Sequence, residues 1–151
     1  MFNLRRWGDK NALKEAKMGV APDVALLRAR LFFDGGYYQK ALDVVRTKKE
    51  SEYLSEAAHL EYCYRSGRIL QMMKHPNEAT SFFSKTIELG HGSKFYYACN
   101  ASLQLGLMYE EYGNKEKAKE FYRYCLTLKP DDYRDELHSK AKAGLSRLGG
   151  K

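Results

Sequence analysis

The sequence has no run of 18 apolar residues, so nothing in it reads as a transmembrane helix. Proline occurs three times in 151 residues, leaving room for long uninterrupted helices. Cysteine also occurs three times, as Cys63, Cys99 and Cys125. An odd number inside predicted helices suits small packing residues of a reduced, cytoplasmic protein better than a disulfide framework. Arg5-Arg6 has no apolar stretch behind it, so no signal peptide is read. Despite a net charge of +7, no basic run of five or more exists. Lysines alternate with glutamates on outward faces, which disfavours a nucleic-acid partner.

Chemistry is equally sparse. Glu110 and Glu111 are adjacent, and neighbouring helical residues point about 100° apart, so they cannot bracket a substrate. No G-x-S-x-G motif is present, and Gly90-His91-Gly92 lacks the Lys-Ser/Thr of a phosphate loop. His59 and Cys63 stand four apart, as metal ligands can, but no second pair lies at a matching distance. They read as a core cysteine and a surface histidine. No catalytic residue, metal ligand or cofactor is assigned.

What the sequence does have is helical periodicity, together with 12 tyrosines. Its clearest stretch is Ala101 to Pro130. Leu105, Gly106 and Tyr109 share one face of a first helix, and Gly113-Asn114 breaks the run. Ala118, Tyr122, Cys125 and Leu126 stripe a second helix that Pro130 ends. This L-G-x2-Y, G, A-x3-aromatic, P order resembles the tetratricopeptide repeat, with Ser102 where that family has tryptophan. The match identifies packing residues rather than chemistry.

The same landmarks recur upstream. A first repeat, residues 22–55, has Ala29, Phe32, Gly36, Ala41 and Val45 in place, with Arg28 where the family has leucine. A second, residues 60–93, has Gly67, Leu70, Ala79 and Phe83, with Cys63 in the tryptophan slot and Pro76 opening its second helix. A third spans residues 99–132. Ala41 to Ala79 is 38 residues and Gly67 to Gly106 is 39; the ordinary unit has about 34. The excess falls around Ser55–His59 and Ser93–Ala98, so first helices are expected to begin a turn early. Residues 1–20 read as a flanking helix with Trp7 on its apolar edge. Residues 133–148 read as a capping helix with Tyr133, Leu137, Ala141, Leu145 and Leu148 in one stripe.

The expectation is a single all-α domain, a right-handed α-solenoid of three such units between a flanking and a capping helix. The resemblance extends to the C-terminal part of larger bacterial repeat proteins; either the helix over residues 1–20 caps the array or the chain ends a longer one. The resemblance also implies a non-catalytic scaffold that receives a peptide or helix in a concave groove. Followed residue by residue, the family's groove slots fall on Leu26, Arg30, Phe33, Tyr64, Arg65, Arg68, Gln71, Asn100, Leu103, Leu107 and Glu110. Arginine forks beside aromatics suit an acidic and apolar partner segment, unless those arginines pair with Asp34, Glu61 or Glu110. The slots that clamp chaperone tails in one subclass hold Leu26, Arg30, Arg65, Asn100 and Gln104, which departs from that pattern. The alternatives are self-association, as a homo-oligomer joined through Trp7, and basic-surface nucleic-acid binding.

Overall fold

The computed structural model describes residues 23–149; the flanking helix expected over residues 1–20 lies outside them. Among the described residues the chain forms seven α-helices and no strand. They are α1 (Val24–Asp34), α2 (Tyr38–Val45), α3 (Glu56–Met72), α4 (Pro76–Gly90), α5 (Tyr97–Glu111), α6 (Lys115–Thr127) and α7 (Arg134–Arg147). This is an all-α helical-repeat architecture of the α-solenoid class. The helices α3 and α5 start at Glu56 and Tyr97, ahead of the repeat starts expected at residues 60 and 99: α3 gains about a full turn and α5 about half of one. None of the helices is long and apolar enough to cross a membrane.

Local chemistry sets the helix starts. Asp23 accepts a hydrogen bond from the Leu26 amide at 3.1 Å, Ser55 from Ala58 at 3.0 Å and Asn114 from Lys117 at 3.2 Å. Each satisfies an amide that has no partner within its helix. Pro76 opens α4, where a missing N–H costs nothing.

The helices pair through one repeated turn. Residues 35–37, 73–75 and 112–114 separate α1 from α2, α3 from α4 and α5 from α6. In each turn the middle residue has positive φ: Gly36 at 83°, Lys74 at 64° and Gly113 at 82°. The residue after it donates to a carbonyl five back, Tyr37 to Phe32 at 2.8 Å, His75 to Leu70 at 2.9 Å and Asn114 to Tyr109 at 2.9 Å. These bonds satisfy carbonyls that the ending helix leaves open.

Contacts divide the chain into two compact units, one ending at Ala79 and the other beginning at Thr80 within α4. In the first, α1, α2 and α3 pack mutually around Leu26, Ala29, Ala41, Val45, Leu60, Ile69 and Leu70. Each large apolar side chain so buried contributes about 1.5–3 kcal/mol. The link from α2 to α3 contains a 3-10 turn, Glu50–Glu52. Tyr53 anchors it, donating from its hydroxyl to the Val45 carbonyl at 2.8 Å and stacking on Tyr62 at 4.8 Å.

In the second unit, α5, α6 and α7 pack mutually. Tyr133 takes left-handed backbone (φ 60°) immediately before α7, and Leu137, Ala141 and Leu145 turn inward. The unit closes on Tyr122, whose ring is wholly buried between two glycines. A Cβ on Gly106 would come within 2.5 Å of Tyr122 Cε1, and one on Gly144 would overlap Cε2 and Cζ at the opposite ring edge. Only hydrogen fits at either position.

Alanine is the better helix former by about 1 kcal/mol, so propensity alone favours Gly106→Ala and Gly144→Ala. The contact with Tyr122 reverses that sign. Each substitution should lower stability by about 1–3 kcal/mol in urea denaturation followed by circular dichroism.

Candidate partner-binding face

The predicted groove residues of the first unit lie on α1 and α3. Leu26 is core, 1% exposed, and so is not available to a partner. Arg30 is also buried, at 3%, and its guanidinium engages the buried Glu61 carboxylate twice. Nε donates to Oε2 at 2.5 Å, and Nη2 donates to Oε1. This fork-to-fork geometry neutralises both charges inside the unit. Of the pairings open in the sequence, Arg30 has taken Glu61.

The remaining residues converge on Phe33. The Arg65 guanidinium carbon lies 5.2 Å from the Phe33 ring centroid, and that of Arg68 lies 5.3 Å from it. Arg65 is also 5.6 Å from the Tyr64 ring, and its Nη2 stands 3.9 Å from Glu61 Oε2. Its Nε is buried and has no hydrogen-bond partner. Arg68 Nη1 donates to Gln71 Oε1 at 2.6 Å, which fixes the fork along α3. Asp34 stands close by; burial pushes its carboxyl pKa up, against the opposing pull of Arg65 and Arg30. Phe33, Arg65, Arg68 and Gln71 thus form one cationic, aromatic cluster.

The groove slots of the second unit lie on α5. Asn100 and Leu103 are buried, and Asn100 Oδ1 accepts from Gln104 Nε2 at 3.2 Å. Leu107 is exposed. Glu110 is engaged from α7: Arg147 Nε and Nη2 donate to its two oxygens at 2.8 and 2.9 Å, and the Tyr122 hydroxyl donates to Oε2 at 2.5 Å. Arg147 holds the Glu110 carboxyl below the usual glutamate range, opposed by burial and assisted by Tyr122. No repeat landmark marks Arg147 or Gly144. The helical stripe of α7 shows which face is apolar and leaves open which α5 residue its last turn meets.

Against known families, the tetratricopeptide repeat model matches residues 100–132, from the third residue after the start of α5 to the segment after α6. No curated protein and no solved structure matches the chain. Within the matched window, Ser102 in the tryptophan slot is fully buried and donates to the Ala98 carbonyl at 2.9 Å.

Removing one partner of the Arg30–Glu61 pair strands a buried charge. Arg30→Leu should cost roughly 3–5 kcal/mol, and Arg30→Leu with Glu61→Leu should recover much of that loss in chemical denaturation. The Glu110 contribution depends on pH. Its folded pKa is depressed, so the stabilisation is present above the unfolded value of about 4.3 and fades as pH falls through the lower folded value. Acid titration of stability should therefore fall more steeply for the natural chain than for Glu110→Gln over that window.

Proposed function

We propose that this tetratricopeptide-repeat chain is a non-catalytic scaffold whose first unit holds an acidic, apolar-flanked segment of a partner protein. Tetratricopeptide repeats generally mediate protein–protein interaction, and their signature residues pack helices without performing chemistry. The observation that carries the partner's chemistry is Arg65. Its residue is only 8% exposed, yet Nε has no acceptor. Leaving a buried donor unsatisfied costs about 1–3 kcal/mol, and more when the group is charged. A carboxylate arriving beside Phe33 would relieve that cost, with Arg68 supplying a second guanidinium and Phe33 the apolar contact.

The reading takes residues 22–55, 60–93 and 99–132 as successive repeats and residues 133–148 as the cap. The three matching turns at Gly36, Lys74 and Gly113 support that division. It places the chain in the cytoplasm, where Cys99 and Cys125 act as packing thiols.

Immobilised peptides that combine Asp or Glu with Phe, Leu or Tyr, probed with the whole chain, test the proposal. Acidic–apolar peptides should be retained and their lysine analogues lost. Arg68→Ala should weaken retention about tenfold or more, the equivalent of one charge-assisted hydrogen bond. Equal retention by the natural chain and a folded Arg65→Ala, Arg68→Ala variant would sink the assignment.

A further inference from the structure

The link between α2 and α3 brings three metal-binding atoms together. Glu50 stands in the 3-10 turn, while His59 and Cys63 lie four residues apart on α3 and so share a helix face. Glu50 Oε1 is 2.9 Å from His59 Nε2 and 3.9 Å from Cys63 Sγ. All three donor atoms fall within 4.8 Å of one another. We propose that Glu50, His59 and Cys63 bind a divalent transition ion of the zinc class. This assignment is independent of the peptide-binding face.

The donor set determines the class of ion. Thiolate and imidazole favour zinc and its neighbours, whereas calcium and magnesium take oxygen shells. The spacing is also suitable. Zinc binds sulfur at about 2.3 Å and nitrogen or oxygen at about 2.0–2.2 Å, so adjacent donors of a tetrahedron lie roughly 3.3–3.6 Å apart. The two separations from Glu50, 2.9 and 3.9 Å, straddle that range, and His59 Nε2 lies within 4.8 Å of Cys63 Sγ.

Charge balance points the same way. On binding, the Cys63 thiol releases its proton to solvent, and thiolate plus carboxylate offset the two charges of the ion. A neutral His59 adds none. The resulting cluster carries no net charge, which suits a sulfur that is fully buried. His59 and Glu50 side chains are 35% and 31% exposed, which gives the ion an entry path and leaves its fourth position to water. The three groups already converge without an ion, since the Cys63 thiol donates to Glu50 Oε1 and His59 Nε2 meets the same oxygen, so metal would replace the thiol proton at that point. Bound metal would tie the 3-10 turn to α3 and stabilise the folded chain by mass action.

The test uses the whole chain, stripped with chelator, kept reduced and titrated with Co2+. One equivalent should produce a thiolate-to-cobalt charge-transfer band with the intense visible bands of tetrahedral cobalt, and Zn2+ should remove both. Cys63→Ser should abolish the charge-transfer band. A Cys99→Ser, Cys125→Ser variant should retain it, which separates this site from the other two thiols, 3.6 Å apart in the second unit. Loss of groups that merely orient ligands lowers metal affinity about 10–100-fold, so His59→Gln and Glu50→Gln should each do at least as much. Because Cys63 is wholly buried and its variant can fail to fold, the two half-exposed positions carry the test by themselves, with circular dichroism to confirm folding. No band, a band that survives Cys63→Ser, or Co2+ affinity unchanged in both Gln variants would overturn the proposal.

Discussion

In each helical pair the backbone reverses through three residues, and the middle one must adopt positive φ. A side chain there costs about 1–2 kcal/mol, so glycine serves at two of the three turns and lysine bears the cost at the third. From Gly36 to Lys74 is 38 residues, and from Lys74 to Gly113 is 39. Those intervals match the spacing of the packing landmarks. The reversals at Gly36 and Gly113 lay a second helix against the first, and the small residues Ala41 and Ala118, both fully buried, allow close approach. Everything placed on the helix faces, including the arginines, inherits its position from these turns.

The two units handle charge differently. In the first, Arg30 and Glu61 form a buried pair, the kind of contact that adds little net stability yet is costly to break. Arg65 and Arg68 share the Phe33 ring instead, and Arg65 retains an unsatisfied donor. In the second unit the comparable polar cluster is closed. Glu110 receives Arg147 and Tyr122, and its capacity as an acceptor is largely used within the unit. On the α1–α3 face Arg65 keeps a donor without an acceptor, while the α5 acid fastens the last helix.

The linker after α2 shows how a segment without repeat character acquires a role. Tyr53 holds it to Val45, and Lys48 reaches Asp23 at 2.5 Å, joining the link to the start of α1. These contacts fix the 3-10 turn, and the turn presents Glu50 to His59 and Cys63. Two side chains four apart on a helix hold an ion only when a third donor arrives from elsewhere, and here the linker delivers it.

Much of this was already determined by the sequence. Glycines and prolines at fixed offsets and alanines four before aromatics act over a few residues, so the helical pairs, the turns at Gly36 and Gly113 and the final amphipathic helix could be read directly, whereas Lys74 at the second turn carries no such signal. Repeat slots also put Phe33, Arg65 and Arg68 on first-helix faces in the sequence, and in the first unit the two guanidinium groups lie over the Phe33 ring. Contacts between elements were decided by tertiary structure. The sequence left Arg30 a choice of Asp34, Glu61 or Glu110, and only packing of α1 on α3 selected Glu61. Gly144 carries no local signal, since its reason is the far edge of a tyrosine 22 residues earlier. Glu50 and Cys63 are 13 residues apart across a non-repeating link, and no periodicity relates them. Periodicity reports which face of a helix is turned inward; which atom meets which depends on how the elements settle against one another.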